Sequence, residues 1–528
     1  MVRLDLVTDY TAPLHDMAFV LGHVVGYDEI AGWDAFAHAD LDTVRGVLEE
    51  CGRFMSQVVA PLNRVGDTQG SQRNEDGSVT TPEGFASAYA RYAEAGWPSV
   101  PFPPELGGGG FPWVVGLAMQ EMLTSANMAF SLCPLLTQGA IDALLHHGSE
   151  VQQQTYLTRM VAGEWTGTMN LTEPQAGSDV GALTTRAVPQ GDGSYRIFGQ
   201  KIFITYGQHD LTENIVHLVL ARIPGAPPGT RGISCFIVPK RLVGPDGSPG
   251  AANDVTCVSI EHKLGIHASP TCVLSFGDSG EGAVGELIGE ENAGMRYMFT
   301  MMNNARLSVG LEGLSVSERA YQQALGYAQE RHQGRAVGAP AGEVSPIIEH
   351  PDVRRMLMTI KAYNEGLRCL MYLNAASIDR SKHDPDASAR QRATEVVGLL
   401  TPVCKAFGTD LGVELTSLAL QVHGGMGYVE ETGAAQHYRD SRIAPIYEGT
   451  NGIQAADLVA RKLPVRAGAS VADLFAEIAA ADAALAAAGD ELAPVRRHLA
   501  AELAHLQQAT TWIIEHGGAD PNAALAGS

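Results

Sequence analysis

The sequence predicts an α+β multidomain protein with an N-terminal α-helical domain, a central antiparallel β domain, a C-terminal four-helix-bundle domain and an extra helical tail. Three observations predict it. Apolar residues recur at helical spacing from Leu41 to about Val161. At Trp165 the text changes to short β-rich runs separated by Gly, Pro and Asp. After Gly294 that texture gives way to long helical patterns. A chain of 528 residues is long enough for several domains and a large core. With 45% hydrophobic and 18% charged residues its composition is ordinary for a globular protein, which excludes wholesale disorder.

Residues 1–40, with Pro13, several aromatics and few strong helix signals, read as an arm laid on a larger body. Residues 41–164 form the helical domain. Val44, Leu48, Phe54, Val58 and Val59 predict a helix over Leu41–Ala60 closed by Pro61, and a polar loop covers Gly66–Thr81. Phe85, Tyr89 and Tyr92 mark another helix, and helical spacing resumes from Val114 to about Val161. The glycines Gly107–Gly110 lack the preceding β-run and following Lys-Ser/Thr of a phosphate loop, so they read as a flexible connection.

Residues 165–290 form the β domain, with strands over Tyr195–Phe198, Lys201–Thr205, Ile215–Ile223, Gly232–Pro239, Val255–Ile260 and Thr271–Phe276. Their length and spacing fit an antiparallel sheet or small barrel, not βαβ units. Residues 291–464 carry helices over Met295–Arg331, from Pro351 to about Ile378, and over Ala387–Val422 with a kink at Pro402. In residues 465–528, Ser470 and Asp473 suggest a capping box. Val495, Leu499, Leu503, Leu506 and Ile513 then recur at helical spacing, predicting one or two further helices packed on the bundle. Trp512, Ile513 and Ile514 point to a surface that something covers.

A formal net charge of -23, spread along the chain, argues against nucleic acid or an anionic membrane as the main partner. Seven scattered cysteines without a CxxC fit reduced thiols, not a disulfide framework. The start MVRLDLVTDY lacks the apolar run of a signal peptide, and no later run approaches a membrane span. The expectation is a cytoplasmic protein with no integral membrane segment.

The chemistry centres on Ala444–Gln454, APIYEGTNGIQ, which sets Glu448 between an aromatic residue and a glycine just before a helix that Thr450 can cap. An acid exposed at a tight turn beside small residues suits a general base. A lone Glu near a helix start is more often a solvated acid. Three more segments change that balance: Leu171–Asp179 reads LTEPQAGSD, Lys201–Gly207 reads KIFITYG and Gln421–Tyr428 reads QVHGGMGY. Alone they read as a turn, a packed strand and a helix C-cap. In KIFITYG, alternation places Ile202 and Ile204 on one face and Lys201, Phe203 and Thr205 on the other. His262 and His267 lack a metal-ligand pattern, and no metal is expected.

In this order and on this α–β–α layout, the four segments resemble the acyl-CoA dehydrogenase flavoprotein family, from roughly residue 45 to 463, in its longer bacterial branch. The resemblance implies FAD as cofactor. It puts Met169, Leu171, Thr172, Gly177 and Ser178 along the flavin, with Ser178 also near the CoA portion, and Phe203 stacked on the ring where many relatives have Trp. Thr205 hydrogen-bonds to the ring, and Thr450 follows the base in the same site. Gln421, Gly424 and Gly425 meet the adenine–pyrophosphate half of an FAD held by a neighbouring subunit, and Arg331 in QERHQGR reaches its pyrophosphate. A shared site requires an oligomer, a homodimer or homotetramer. Arg306 matches the arginine near CoA and the base, Asn303 stands where relatives often have Asp, and Gly449 lies beside the substrate.

The reaction so implied is α,β-dehydrogenation of an acyl-CoA thioester to the trans-2-enoyl-CoA. Glu448 takes the α-proton, a β-hydride passes to flavin N5, and an electron-transfer flavoprotein receives the electrons. The enolate-like charge needs donors, in this family the N–H of the glutamate and a flavin ribityl hydroxyl; losing one such donor costs about 2.7–4 kcal/mol. Burial against an acyl chain is expected to raise the Glu448 pKa. Two other readings stay open: an acyl-CoA oxidase or flavin monooxygenase using O2, and a catalytically silent binding protein.

Overall fold

The computed structural model describes residues 10–526; the first nine residues of the expected arm and the last two of the tail lie outside the described residues. The arm is more helical than its residues suggest. Leu14–Phe19 continues as a π-turn through Val25, and Tyr27–Ala31 follows. Packing fixes these short pieces, because Met17, Leu21, Val25, Tyr27 and Ile30 are buried. Arg380 donates to the Val25 carbonyl at 2.7 Å, and Lys361 pairs with Asp16.

The helical domain runs through Leu41–Phe54, Leu62–Gln69 and Phe85–Glu94 into three helices: α1 (Trp113–Ala126), α2 (Met128–His147) and Glu150–Val161. Asp40 caps the first through Thr43 N–H, and Ser149 with Gln152 forms a capping box on the last. The expected polar loop is partly helix and partly a short hairpin, Gln72–Arg73 with Val79–Thr80. Helix α2 and the later helix Ala387–Val422 are long and apolar enough by composition to cross a membrane. Here both pack inside the fold, and α2 is buried along nearly its whole length.

The main sheet of the β domain contains eight strands: β1 (Trp165–Asn170), β2 (Arg186–Pro189), β3 (Tyr195–Thr205), β4 (Asn214–Arg222), β5 (Ile233–Pro239), β6 (Val255–Ile260), β7 (Thr271–Phe276) and β8 (Ala283–Leu287); Arg241–Val243 and Pro249–Ala252 pair separately as a short hairpin. Their order is β6-β7-β3-β8-β5-β4-β1, and β2 pairs with both β3 and β4. The ring β3–β8–β5–β4–β2 therefore closes on itself as a small barrel. Most ladders are antiparallel as expected, but β1 runs parallel to β4. The two runs expected over 195–205 are one bent strand. Gly199, at φ 149, passes Thr185 so closely that a Cβ would stand 2.5 Å from its Oγ1. Strands β1, β2 and β8 escape the sequence reading because they are short and weakly alternating.

Three long helices build the C-terminal domain: α3 (Gly294–Glu330), α4 (Pro351–His383) and α5 (Ala387–Val422), with Ala434–Ser441 laid across α3 and α5 and Asn451–Asp457 packed on α5. Pro402 lies inside α5 without ending it. Arg368 of α4 donates to Glu121 of α1 at 2.9 and 2.8 Å and approaches Glu318 of α3 at 3.4 Å, all three buried. That network joins the two helical domains. Arg439 grips Asp67 at 2.8 and 2.7 Å, and the neighbouring Asp440 accepts from Ile266 N–H. Helix Leu62–Gln69, the loop after β6 and helix Ala434–Ser441 are thus tied just ahead of the Glu448 turn.

In the tail, Ala469–Ala488 and Ala493–His516 are helices, followed by Pro521–Ala526. The expected capping box is absent: Gly468, at φ 89, holds the cap position and Ser470 lies within the helix. Asp473 instead pairs with Arg466, which also holds Glu395 at 2.7 Å. Leu399, Leu463, Val471 and Phe475 form the small core under the tail, while Trp512 and Ile514 stay exposed.

Helix α1 starts without a side-chain cap of its own. The buried Asp379 of α4 accepts Trp113 N–H at 2.6 Å and Val114 N–H at 2.9 Å. Asp379→Leu is expected to cost about 1–3 kcal/mol for each orphaned N–H, and Asp379→Asn less. Thermal unfolding checks this; an unchanged midpoint in the Leu variant refutes the tie.

Candidate active site

Glu448 sits in a turn between Ala434–Ser441 and Asn451–Asp457. Its backbone is left-handed, φ 55, and Gly449 follows at φ 81. A non-glycine residue held there costs of order 1–3 kcal/mol and persists only where its surroundings over-determine it. They do so here. Gln454 Nε2 donates to the Gly449 carbonyl at 3.1 Å and the Glu448 carbonyl at 3.5 Å. A Cβ on Gly449 would lie 2.7 Å from that same nitrogen. Thr450 caps the next helix by accepting Ile453 N–H. Asn451 accepts from buried Lys405 Nζ at 2.8 Å and donates to Asp410 at 2.8 Å. The Tyr447 hydroxyl donates to Glu312 of α3.

Glu448 is half-buried. Burial pushes its carboxyl up to about 7, against the opposing pull of Arg306 and Lys405. Arg306 is itself buried on α3, where Asp457 stands 3.6 Å away and Asn303 Oδ1 accepts from Nη1 at 3.4 Å. Burial lowers Lys405 to about 8, while Glu312 and Glu448 favour its charged form. The turn thus holds one carboxylate near neutrality between two buried cations. Asn303, Arg306, Gly449 and Thr450 are all brought to it.

A second group surrounds Leu171–Ser178. Lys201, Phe203 and Thr205 do not share a face as strand alternation predicts. Opposite β7 the register slips between Cys272 and Leu274, and Phe203 takes φ 60. This bulge turns Phe203 outward, 58% exposed, and sends Lys201 into the interior. Lys201 Nζ donates to the Leu171 carbonyl at 2.9 Å and to Glu173 Oε1 at 2.8 Å. Ile202 N–H donates to the Thr172 carbonyl at 2.9 Å. Glu173 also accepts from the N–H and hydroxyl groups of Thr184 and Thr185. Burial raises its carboxyl, but Lys201 and these donors outweigh that and hold it at about 2. Met169 and Thr172 are half-buried, and Gly177 and Ser178 are exposed at the loop's outer end.

The third group lies at the far end of α3. Arg331 caps that helix, exposed, with Nη2 3.4 Å from Gln333 Oε1. Gln421, Gly424 and Gly425 are exposed where α5 ends, and Gly424 takes φ 60. Tyr327 and His423 rings, 4.7 Å apart, hold the two ends together. At 1.5 Å per residue this end is about 36 Å along α3 from Arg306. His267, set aside as a metal ligand, bonds the Asp67 and Lys263 carbonyls.

Family models for the acyl-CoA dehydrogenase N-terminal, middle and C-terminal domains match residues 42–164, 168–279 and 292–463. The chain is 49% identical over 520 residues to 3-methylmercaptopropionyl-CoA dehydrogenase of Ruegeria pomeroyi, covering 98% of this chain and 87% of that protein. The chain belongs to the acyl-CoA dehydrogenase family. Another relative of this acyl-CoA dehydrogenase is the broad-specificity linear acyl-CoA dehydrogenase FadE5 of Mycobacterium tuberculosis, 39% identical over 89% of this chain and 78% of that protein. Among solved structures, Caenorhabditis elegans ACDH-11 in complex with C11-CoA superposes with a TM-score of 0.79 over 97% of this chain and 83% of that one, at 20% identity. An acyl-CoA dehydrogenase of Bacillus anthracis complexed with FAD gives 0.65 over 79% and 66%, at 23% identity. This chain is therefore an oxidoreductase of the acyl-CoA dehydrogenase kind.

Sequence reasoning missed the supports of these sites: Glu173, Glu312, Lys405, Asn451 and Gln454. The signal for two of them was a lone charge in apolar helical text, Glu312 in SVGLEGL and Lys405 in TPVCKAF. Lys201→Met is expected to leave Glu173 a buried carboxylate without its cation and cost about 3–5 kcal/mol. Because the folded carboxyl is depressed, the pair's contribution is present from 4.5 up to about 8, where burial lets Lys201 lose its proton, and is lost as pH falls from 4.5 toward 2. Denaturant unfolding at pH 7 and pH 3 checks both parts; a gap that does not narrow in acid contradicts them.

Proposed function

We propose that the chain catalyses FAD-dependent α,β-dehydrogenation of an acyl-CoA thioester with Glu448 as the α-proton base. The observation that carries this is the half-buried carboxyl near 7, fixed in a left-handed turn between Arg306 and Lys405. A base poised near working pH combines the ionised form with useful proton affinity. Arg306 and Asn303 on α3, Ser178 and Gly449 would meet the thioester's CoA portion, and the Glu448 N–H would donate to its carbonyl oxygen.

The residues present fit FAD. Phe203 offers an exposed aromatic face that a bulge holds outward, Thr205 follows it on the same strand, the Thr172 carbonyl is tied to the adjacent Ile202 N–H, and buried Asn170 Oδ1 at the loop's root lacks a partner. Met169, Leu171, Thr172, Gly177, Ser178, Phe203, Thr205 and Thr450 would hold it from one chain. Arg331 caps the end of α3 about 36 Å from Arg306, and Gln421, Gly424 and Gly425 lie where α5 ends beside it, so these residues would serve a neighbouring subunit's cofactor in a homodimer or homotetramer. Bound FAD supplies the acceptor for the β-hydride, and an electron-transfer flavoprotein would receive the electrons. The chain's own part is to hold the thioester, keep water from the turn and take the proton at a Glu448 carboxylate oxygen.

Anaerobic titration of the flavin band with acyl-CoAs from short to long, including a methylthio-substituted one, tests the reading. Bleaching by one class names the substrate range. A flavin spectrum unmoved by every thioester overturns the function, and oxygen consumption with peroxide release favours the oxidase. Glu448→Gln is expected to keep FAD and slow bleaching by about 10²–10⁴-fold. Since the base works only when ionised, the wild-type rate should rise with pH through about 7.

A further inference from the structure

Beneath the turn lies a second carboxyl group. Glu312 is on α3, six residues beyond Arg306 and about 9 Å further along the helix. It is 1% exposed. Its Oε2 accepts the Tyr447 hydroxyl, and its buried Oε1 has no hydrogen-bond partner. An ionised carboxylate seeks several donors, so one donor and one orphaned oxygen in the core favour the neutral acid. The groups acting on Glu312 are Tyr447 and Glu448 from the turn and Lys405 from α5. Lys405 spends its direct bond on Asn451.

We propose that Glu312 is a positioning residue for the base: it stays protonated while Glu448 is ionised, so that the turn carries one negative charge, and it anchors Glu448 through Tyr447. The inference rests on Glu448 being the base. Two nearby carboxyls titrate as a pair, and the second proton leaves only against the first charge. Glu448 ionises near 7; burial, then the Glu448 charge, pushes Glu312 up to about 8. Above that the turn holds two negative charges, which opposes the enolate-like charge of the reaction. The thioester-bleaching rate should therefore rise through about pH 7 and fall above about 8, by roughly three- to tenfold.

Lys405 also loses its charge near 8, so two variants separate the causes. Glu312→Gln keeps an acceptor for Tyr447 and cannot ionise; Lys405→Arg keeps its cation at every pH used. The falling limb should vanish in Glu312→Gln and survive in Lys405→Arg. A limb that survives in Glu312→Gln and vanishes in Lys405→Arg overturns the inference. Infrared difference spectra give a readout independent of turnover and of Glu448's role. The resting holoenzyme should hold a protonated-carboxyl band at neutral pH that titrates away above about 8 and is missing in Glu312→Gln. If that variant does not fold, a wild-type protein without such a band overturns the inference by itself. If no thioester bleaches the wild-type flavin, the proposed function fails, and the infrared band still decides the state of Glu312.

Discussion

A glutamate in left-handed backbone is a costly thing to hold still, and much of the C-terminal domain is arranged to hold one. Glu448 cannot relax into an ordinary helical or extended conformation because its neighbours on both sides are committed. Tyr447 is tied to Glu312 on α3, and Gln454 draws the Glu448 and Gly449 carbonyls back toward the next helix. Asn451 is fixed by Lys405 on α5. Two long helices that contact each other thus clamp one turn from both sides. The strain is met by packing and bonds elsewhere, as expected where geometry is pre-set for chemistry.

The same economy recurs away from the turn. Lys201 with Glu173, Arg368 with Glu121 and Arg439 with Asp67 each join segments far apart in sequence through buried or half-buried charges. Such pairs need not add net stability, since desolvation opposes their attraction. Their effect is to make one register of the contacting segments far better than its neighbours. Lys201 fixes the LTEP loop against a bulged strand, and the bulge is what exposes Phe203. Arg439 and Asp440 fix the helix that leads into the Glu448 turn against the β domain.

Much of this architecture was legible in the chain. Helical spacing marked the long helices α3 to α5 to within a few residues, and the change of texture at Trp165 marks where β1 begins. Local rules failed where a long-range partner overrode them. Alternation placed Lys201 and Phe203 on one face, but the bulge opposite β7 broke the period. A capping box was read at Ser470, but Arg466 engages Asp473 and a glycine takes the cap. The arm gave few helix signals, and its buried apolar residues together with half-buried bonds to α4 make it helical.

By itself the sequence determined the order of the long helices and strands, the α–β–α layout, and the turn that carries Glu448 with its Thr450 cap, because periodicity, caps and turn residues act over a few positions. Only the tertiary structure decided that Glu448 is half-buried beside Arg306 and Lys405, and that Glu312 lies beneath it. It alone decided that Arg331 stands a helix-length from Arg306. Those facts depend on which distant side chains meet once α3 and α5 pack, and a carboxyl's proton affinity is set by that surrounding charge and burial, not by its neighbours in the chain.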